Sequence, residues 1–135
     1  MDGQSRLDAV LGLCALAHAL LVRAAHEDDG PPADPEVLTQ SSYRAGRDGL
    51  RATLLHGGAL RPVPEVARDA LARARPYAAG AEDAFEEVER ILAEGNGADR
   101  MRAAYERGGF TEVLAQLAAD TEAPLSRTAS GAARS

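Results

Sequence analysis

Two arginines three residues apart, Arg44 and Arg47, carry the clearest chemical potential in this chain. On a helix, positions i and i+3 project from one side. Two guanidiniums placed so can clamp a carboxylate or a phosphate through paired N–H donors. The same spacing also suits an ordinary surface ion pair. Both arginines lie in the segment Tyr43-Arg44-Ala45-Gly46-Arg47-Asp48-Gly49-Leu50. A second segment, Gly95-Asn96-Gly97, resembles a fragment of a phosphate loop. It follows an expected helix rather than a strand, so the dinucleotide fingerprint fails on context. A helix break is the expected reading, with anion binding at the next helix N-terminus as the weaker alternative.

Other chemistries fall on composition. All 15 basic residues are arginine. Without lysine there is no P-loop lysine, no Schiff base and no Ser-x-x-Lys nucleophile. Cys14 is the single cysteine, which leaves no internal disulfide and no cysteine-based zinc cluster. Inside an apolar helix it is expected to be a small core residue. His18, His26 and His56 have no i, i+4 pairing, so no metal set is expected. Glu27, Asp28 and Asp29 lack the spacing of a calcium loop. Glu82, Asp83, Glu86, Glu87 and Glu89 read as the solvated face of an amphipathic helix.

The formal charge of −6 argues against a general nucleic-acid binder. The apolar run Val10–Val22 has 13 residues, fewer than the about 20 that a bilayer span needs. The residues before it are net acidic and no cleavage site follows promptly, so a signal peptide is not expected. These features lead to the expectation of a cytoplasmic chain with no membrane partner.

The elements that must position the arginines follow from patterning. The chain holds 29 alanines and 16 leucines with one isoleucine, a composition that favours helix. A first helix is expected from about Ser5, its N-cap, to His26. Leu7, Val10, Leu11, Cys14 and Leu21 share one face, and Leu13, Leu16 and Leu20 lie around another. A helix apolar on most of its circumference needs burial on most sides. Asp34-Pro35 opens a second helix that ends near Asp48, with Gly49 just past its end. Arg51–Leu55 and Leu60–Val63 make a short hairpin about His56-Gly57-Gly58-Ala59, with Pro62 on an edge. A third helix runs from Pro64 to about Arg75, where Pro76 ends or kinks it. A fourth, Ala81–Glu94, carries Phe85, Val88, Ile91 and Leu92 on one stripe. A fifth, about Ala98–Arg107, turns Met101, Ala104 and Tyr105 inward, and Gly108-Gly109 breaks it. Thr111 caps a last helix with Val113, Leu114 and Leu117 as its core face. The domain is therefore expected to span residues 1–123, mainly α, with five to six helices and one hairpin near 51–63. Residues 124–135 read as a disordered tail.

The order of these motifs resembles a known family. An apolar helix precedes Tyr43-Arg44-Ala45-Gly46-Arg47-Asp48-Gly49-Leu50, and a short hairpin with Val63-Pro64 follows. Later comes Arg90-Ile91-Leu92-Ala93-Glu94-Gly95-Asn96-Gly97-Ala98-Asp99-Arg100-Met101-Arg102-Ala103-Ala104-Tyr105. Across about residues 6 to 122 the chain resembles the C-terminal portion of the type 2 glutamate–cysteine ligases, also called carboxylate–amine ligases. Their first motif usually reads Asn-x-Trp-Arg-Ala-(Ala)-Arg-x-Gly-Leu; Ser41 and Tyr43 stand here for its Asn and Trp. Their second reads Leu-Ala-x-Gly-x-Gly-Ala-x-Arg-Gln-Arg and ends in an aromatic residue. The lysine-free composition also suits a high-GC bacterial gene.

The resemblance implies a helical part of a glutamine-synthetase-like α+β ligase whose sheet is absent from these residues. It implies ATP and magnesium as cofactors, an acyl phosphate as intermediate, and amino acids as substrates. Arg44 and Arg47 match the first motif and would contribute to the nucleotide or acyl-phosphate pocket. Arg100 and Arg102 match the second, either as anion contacts or as structural ties for the last helices. The sheet, the metal-binding glutamates and most of the substrate pocket would lie in an N-terminal portion. The chain then reads as a fragment, a split-gene product or a truncated relative, inactive alone. A different class of reading is a non-catalytic helical module that self-associates through the apolar first helix.

Overall fold

The computed structural model describes residues 6–28, 30–31 and 33–123. Ser5 and the expected tail at 124–135 lie outside the described residues. Five α-helices and one hairpin follow in the order α1 (Leu7–His26), α2 (Pro35–Asp48), β1 (Thr53–His56), β2 (Ala59–Pro62), α3 (Val63–Ala74), α4 (Glu82–Glu94) and α5 (Gly97–Glu122). Short 3-10 turns occupy Gly49–Arg51 and Arg75–Tyr77, the second absorbing Pro76. The mainly helical reading with a single hairpin is met.

Local chemistry sets the boundaries of α2. The Asp34 side chain accepts from the Glu36 amide at 2.8 Å, and Pro35 follows at the first helical position. Gly49 ends the helix at φ 59°, a conformation that glycine adopts without penalty. Between the strands, Gly57 and Gly58 both have positive φ, as a two-residue hairpin turn demands. The resulting register pairs Leu54 with Arg61 and Leu55 with Leu60.

The core lies where α1, α3, α4 and the Arg75–Tyr77 turn meet. Phe85 is its one large, fully buried side chain, packed among Ala19, Leu71, Ala74, Ala78 and Val88. The expected α4 stripe is therefore the core stripe, with Leu92 packed beside it. Arg75 closes the edge, its guanidinium 6.0 Å from the Phe85 ring and paired with Glu89 of α4.

α1 meets this core mainly through small residues, with Leu16 and Leu20 packed beside them. Ala9, Gly12 and Ala19 are buried, and a Cβ on Gly12 would lie 2.8 Å from the Ala84 carbonyl oxygen. Backbone thus approaches backbone at that point, as only glycine permits. We expect Gly12→Ala to lower stability by about 1–2 kcal/mol, because overpacking against a rigid carbonyl outweighs the gain in helix propensity. Thermal denaturation monitored by circular dichroism checks this. A raised Tm would mean that the helices have room to spare.

This seating corrects two expectations about α1. Cys14 is exposed rather than in the core; it stands roughly 200° round the helix from Gly12, away from the seam. Leu7, Val10, Leu11, Leu13 and Leu21 are exposed too, Leu21 to 72% and Leu11 to 50%. The alanine and glycine face won because it allows the closest approach to α4, which leaves the bulky face open. The N-cap is Arg6, with no side-chain cap. By length and composition, Leu7–His26 is apolar enough to cross a bilayer, which counting only the uninterrupted 13-residue run understates. Its small-residue face is nonetheless seated on α4.

The last two expected helices are the two arms of α5, broken as expected where Gly108 (φ −161°, ψ 24°) and Gly109 (φ 65°, ψ −152°) leave helical geometry. Because the irregularity ends at Gly109, Thr111 lies inside the second arm instead of capping it. The arms fold back on each other, since Arg100 on the first reaches Asp120 on the second at 3.3 Å. Ala104 is buried, but Tyr105, Leu114 and Leu117 are exposed, contrary to expectation. Tyr105 instead stacks edge-on to Phe110 across the bend, with centroids 5.2 Å apart.

Candidate functional site

One stripe of α2 faces the hairpin. Val37, Gln40, Ser41 and Arg44 recur at i, i+3, i+4 and i+7, a single stripe of the helix. That stripe meets the cross-strand pair Leu55 and Leu60. Together the six residues line an open groove of about 90 Å³. Two leucines and a valine make its walls apolar. Arg44, half-buried, is its one charged member.

The two arginines of the first motif part company here. Arg47 is exposed and grips Asp48 with two hydrogen bonds, Nε donating to Oδ1 at 2.9 Å and Nη2 to Oδ2 at 2.8 Å. Its guanidinium also lies 5.8 Å from the Tyr43 ring centroid. Arg44 has no hydrogen bond or ion pair among the described residues. The pair therefore offers one engaged guanidinium and one free one. The hydrogen bond from Arg47 holds the Asp48 carboxyl below its ordinary range, and the charges of Arg51 and Arg44 act in the same direction. Across the hairpin, Arg61 donates to Asp69 of α3 at 2.6 Å and depresses that carboxyl likewise.

Both carboxyls have a lower pKa folded than unfolded. Their contribution to stability is thus present above the ordinary carboxylate range and is lost as pH falls through the depressed values. Urea unfolding midpoints measured from pH 7 down to pH 2 should fall on the acid side. The double variant Asp48→Asn/Asp69→Asn should show a flatter acid limb. An unchanged acid limb would contradict this assignment.

The second motif takes the helix-break form. Asn96 and Asp99 make a reciprocal capping box, Asn96 Oδ1 accepting from the Asp99 amide at 3.0 Å and Asp99 Oδ2 from the Asn96 amide at 3.2 Å. The Asp99 carboxylate already sits where an anion would bind, which disfavours a phosphate loop. Arg102 pairs with Asp99 at 2.7 Å. Arg100 bonds the nearly buried Asp120, which also accepts from Gln116 at 2.9 Å. Arg100 thus ties one arm of α5 to the other.

The two motifs meet through their glycine-rich ends. A Cβ on Gly49 would lie 3.4 Å from Asn96 Nδ2, so the end of α2 abuts the start of α5. No hydrogen bond or ion pair joins Arg44 or Arg47 to Arg100 or Arg102's partners among the described residues. Sequence reasoning missed Val37, Gln40, Leu55 and Leu60 as groove residues. The period of α2 and the register set by Gly57-Gly58 were the signals available.

Among the described residues no three His, Cys, Asp or Glu side chains gather closely enough to hold a metal ion. His26 bonds the Val22 carbonyl and His56 contacts Arg73.

A family model described as glutamate–cysteine ligase family 2 matches residues 1–116. Two bacterial proteins named "Putative glutamate--cysteine ligase 2" are similar to this chain. The one from Streptomyces coelicolor is 39% identical over 121 residues, covering 82% of this chain and 33% of its own length. The one from Pseudomonas entomophila is 37% identical over 111 residues, covering 77% and 29%. This chain spans about a third of the length of these relatives. No solved structure matches it.

Proposed function

This chain belongs to glutamate–cysteine ligase family 2, and from that membership we propose that it is the helical segment of an ATP-dependent carboxylate–amine ligase. In such an enzyme a carboxylate, that of glutamate, is activated as an acyl phosphate, and an amine, that of cysteine, displaces the phosphate. On this reading the rest of the ligase supplies the sheet, and the segment is inactive alone. Arg44 and Arg47 are the segment's contribution to the pocket, Arg44 directly and Arg47 by holding Asp48. Arg100 is structural. The described residues do not fit a metal site, so magnesium belongs to the missing part in this scheme and no step is routed through it here. A cytoplasmic location is part of the same proposal.

The observation that carries the reading is the combination of partial length and an open face. The chain covers about a third of its relatives, and α1 leaves Leu7, Leu11 and Leu21 exposed. Apolar area of that extent is what a larger neighbouring surface would cover. The same face also favours self-association of a non-catalytic module, so one experiment must separate the two. The purified chain is mixed with an N-terminal portion from a relative. ADP release that requires both glutamate and cysteine, together with a 1:1 complex in light scattering, is expected. A stable homo-oligomer that ignores the N-terminal portion and releases no ADP would overturn the ligase reading.

A further inference from the structure

We propose that the second arm of α5, residues 110–122, is a releasable strap that detaches and melts as one unit while the core stays folded. Its catch is the Arg100–Asp120 pair, and neither strap nor catch depends on the ligase reading.

The arm is seated on a polar side. Val113, Gln116 and Asp120 recur at i, i+3 and i+7, one stripe of the helix, and are half-buried or buried. Phe110 and Leu114 lie off that stripe and are 75% and 67% exposed. A helix in a folded protein is held chiefly by burial of its apolar face, and this arm leaves its largest apolar side chains outside. It also contributes nothing to the core, whose side chains all precede α5.

The catch is incompletely made. Tyr105 with Phe110, and Arg107 with Glu112, join the arms at the bend itself. Farther along, Arg100 Nη2 donates to Asp120 Oδ2 at 3.3 Å, while Gln116 Nε2 holds Oδ1 at 2.9 Å. The first distance is long for a charge-assisted bond. Arg100 Nε is buried beside it without a partner. A pair drawn out of water offsets its desolvation only when its hydrogen bonds are complete. The hinge offers little resistance either. Gly109, at φ 65° and ψ −152°, has a conformation open to glycine without strain, and no atom stands within 4 Å of where its Cβ would be. Isolated helices up to about 12–15 residues are marginal in water, so the arm unwinds when it detaches.

Native-state hydrogen exchange of the full chain, read amide by amide by NMR, tests this. Residues 114–121 should share one protection level, at least about tenfold below that of residues 86–92 in α4. Protection equal to that of α4 would overturn the proposal. So would a steady decline toward Glu122, which is ordinary end fraying. Arg100→Gln should lower the protection of the arm by about tenfold more, since it removes a hydrogen bond to a charged group, and should change α4 less than about twofold. Asp120→Asn should act alike, and the double variant should fall short of the product of the two, as for one shared tie. Loss of protection throughout the chain, or an arm indifferent to Arg100→Gln, would overturn the catch. Should a variant fail to fold, the parent's protection pattern decides by itself whether the arm is a unit.

Discussion

In the proposed ligase, reassembled with an N-terminal portion from a relative, Arg44→Gln will lower kcat/KM by about 10- to 100-fold, the worth of one hydrogen bond to a charged group. Whether the loss falls on the KM of the acid or on that of ATP assigns Arg44 to one side of the pocket. The loss itself follows from the split within the first motif. Arg44 faces the groove with no partner among the described residues, whereas Arg47 is exposed and already bidentate on Asp48. Arg47→Gln should therefore cost several times less. Steady-state kinetics with each substrate varied in turn decides the matter. A kcat/KM within about twofold of the parent for both substrates would remove Arg44 from the pocket.

Phe85→Ala will destabilise the chain by about 3–5 kcal/mol, the upper range for removing a buried aromatic ring. The surroundings explain why the upper range applies. Phe85 is fully buried, and three of the buried residues around it are Ala19, Ala74 and Ala78. Alanine has no side chain that could swing into the vacated space, so the cavity persists. Domains of this size are stable by only about 5–15 kcal/mol. The variant should thus sit near its unfolding transition at ambient temperature. Urea unfolding followed by circular dichroism would show the midpoint displaced toward zero denaturant. A midpoint near that of the parent would mean that α1 and α4 close over the gap.

How much of this was legible beforehand differs element by element. The stripe Phe85, Val88, Ile91 was readable as a core face because a period of 3.6 residues with acids on the other side admits one solution. The ends of α2 were readable from Asp34-Pro35 and Gly49, since capping is chemistry within a few residues. The hairpin followed from Gly57-Gly58. α1 was only half legible. Its leucines surround most of the helix, so periodicity could not say which face meets α4. The same ambiguity misled the reading of Cys14, Tyr105, Leu114 and Leu117.

The site shows the same division. Sequence alone determined the residue types, the one-sided spacing of Arg44 and Arg47, the elements that carry them and the family resemblance, because each depends on neighbours within a turn or two. Only the tertiary structure decided which arginine is free. Arg47 turned back to Asp48, and Arg44 turned toward Leu55 and Leu60, brought there by a hairpin that begins nine residues after it. It also decided that Gly49 and Asn96 meet, and that α1 turns Ala9, Gly12 and Ala19 inward with Leu16 and Leu20 beside them while Leu7, Leu11, Leu13 and Leu21 stay outside. Each of these outcomes is a competition between alternative long-range contacts. Spacing along the chain carries no record of which contact wins, since the winner is set by how closely two backbones can approach.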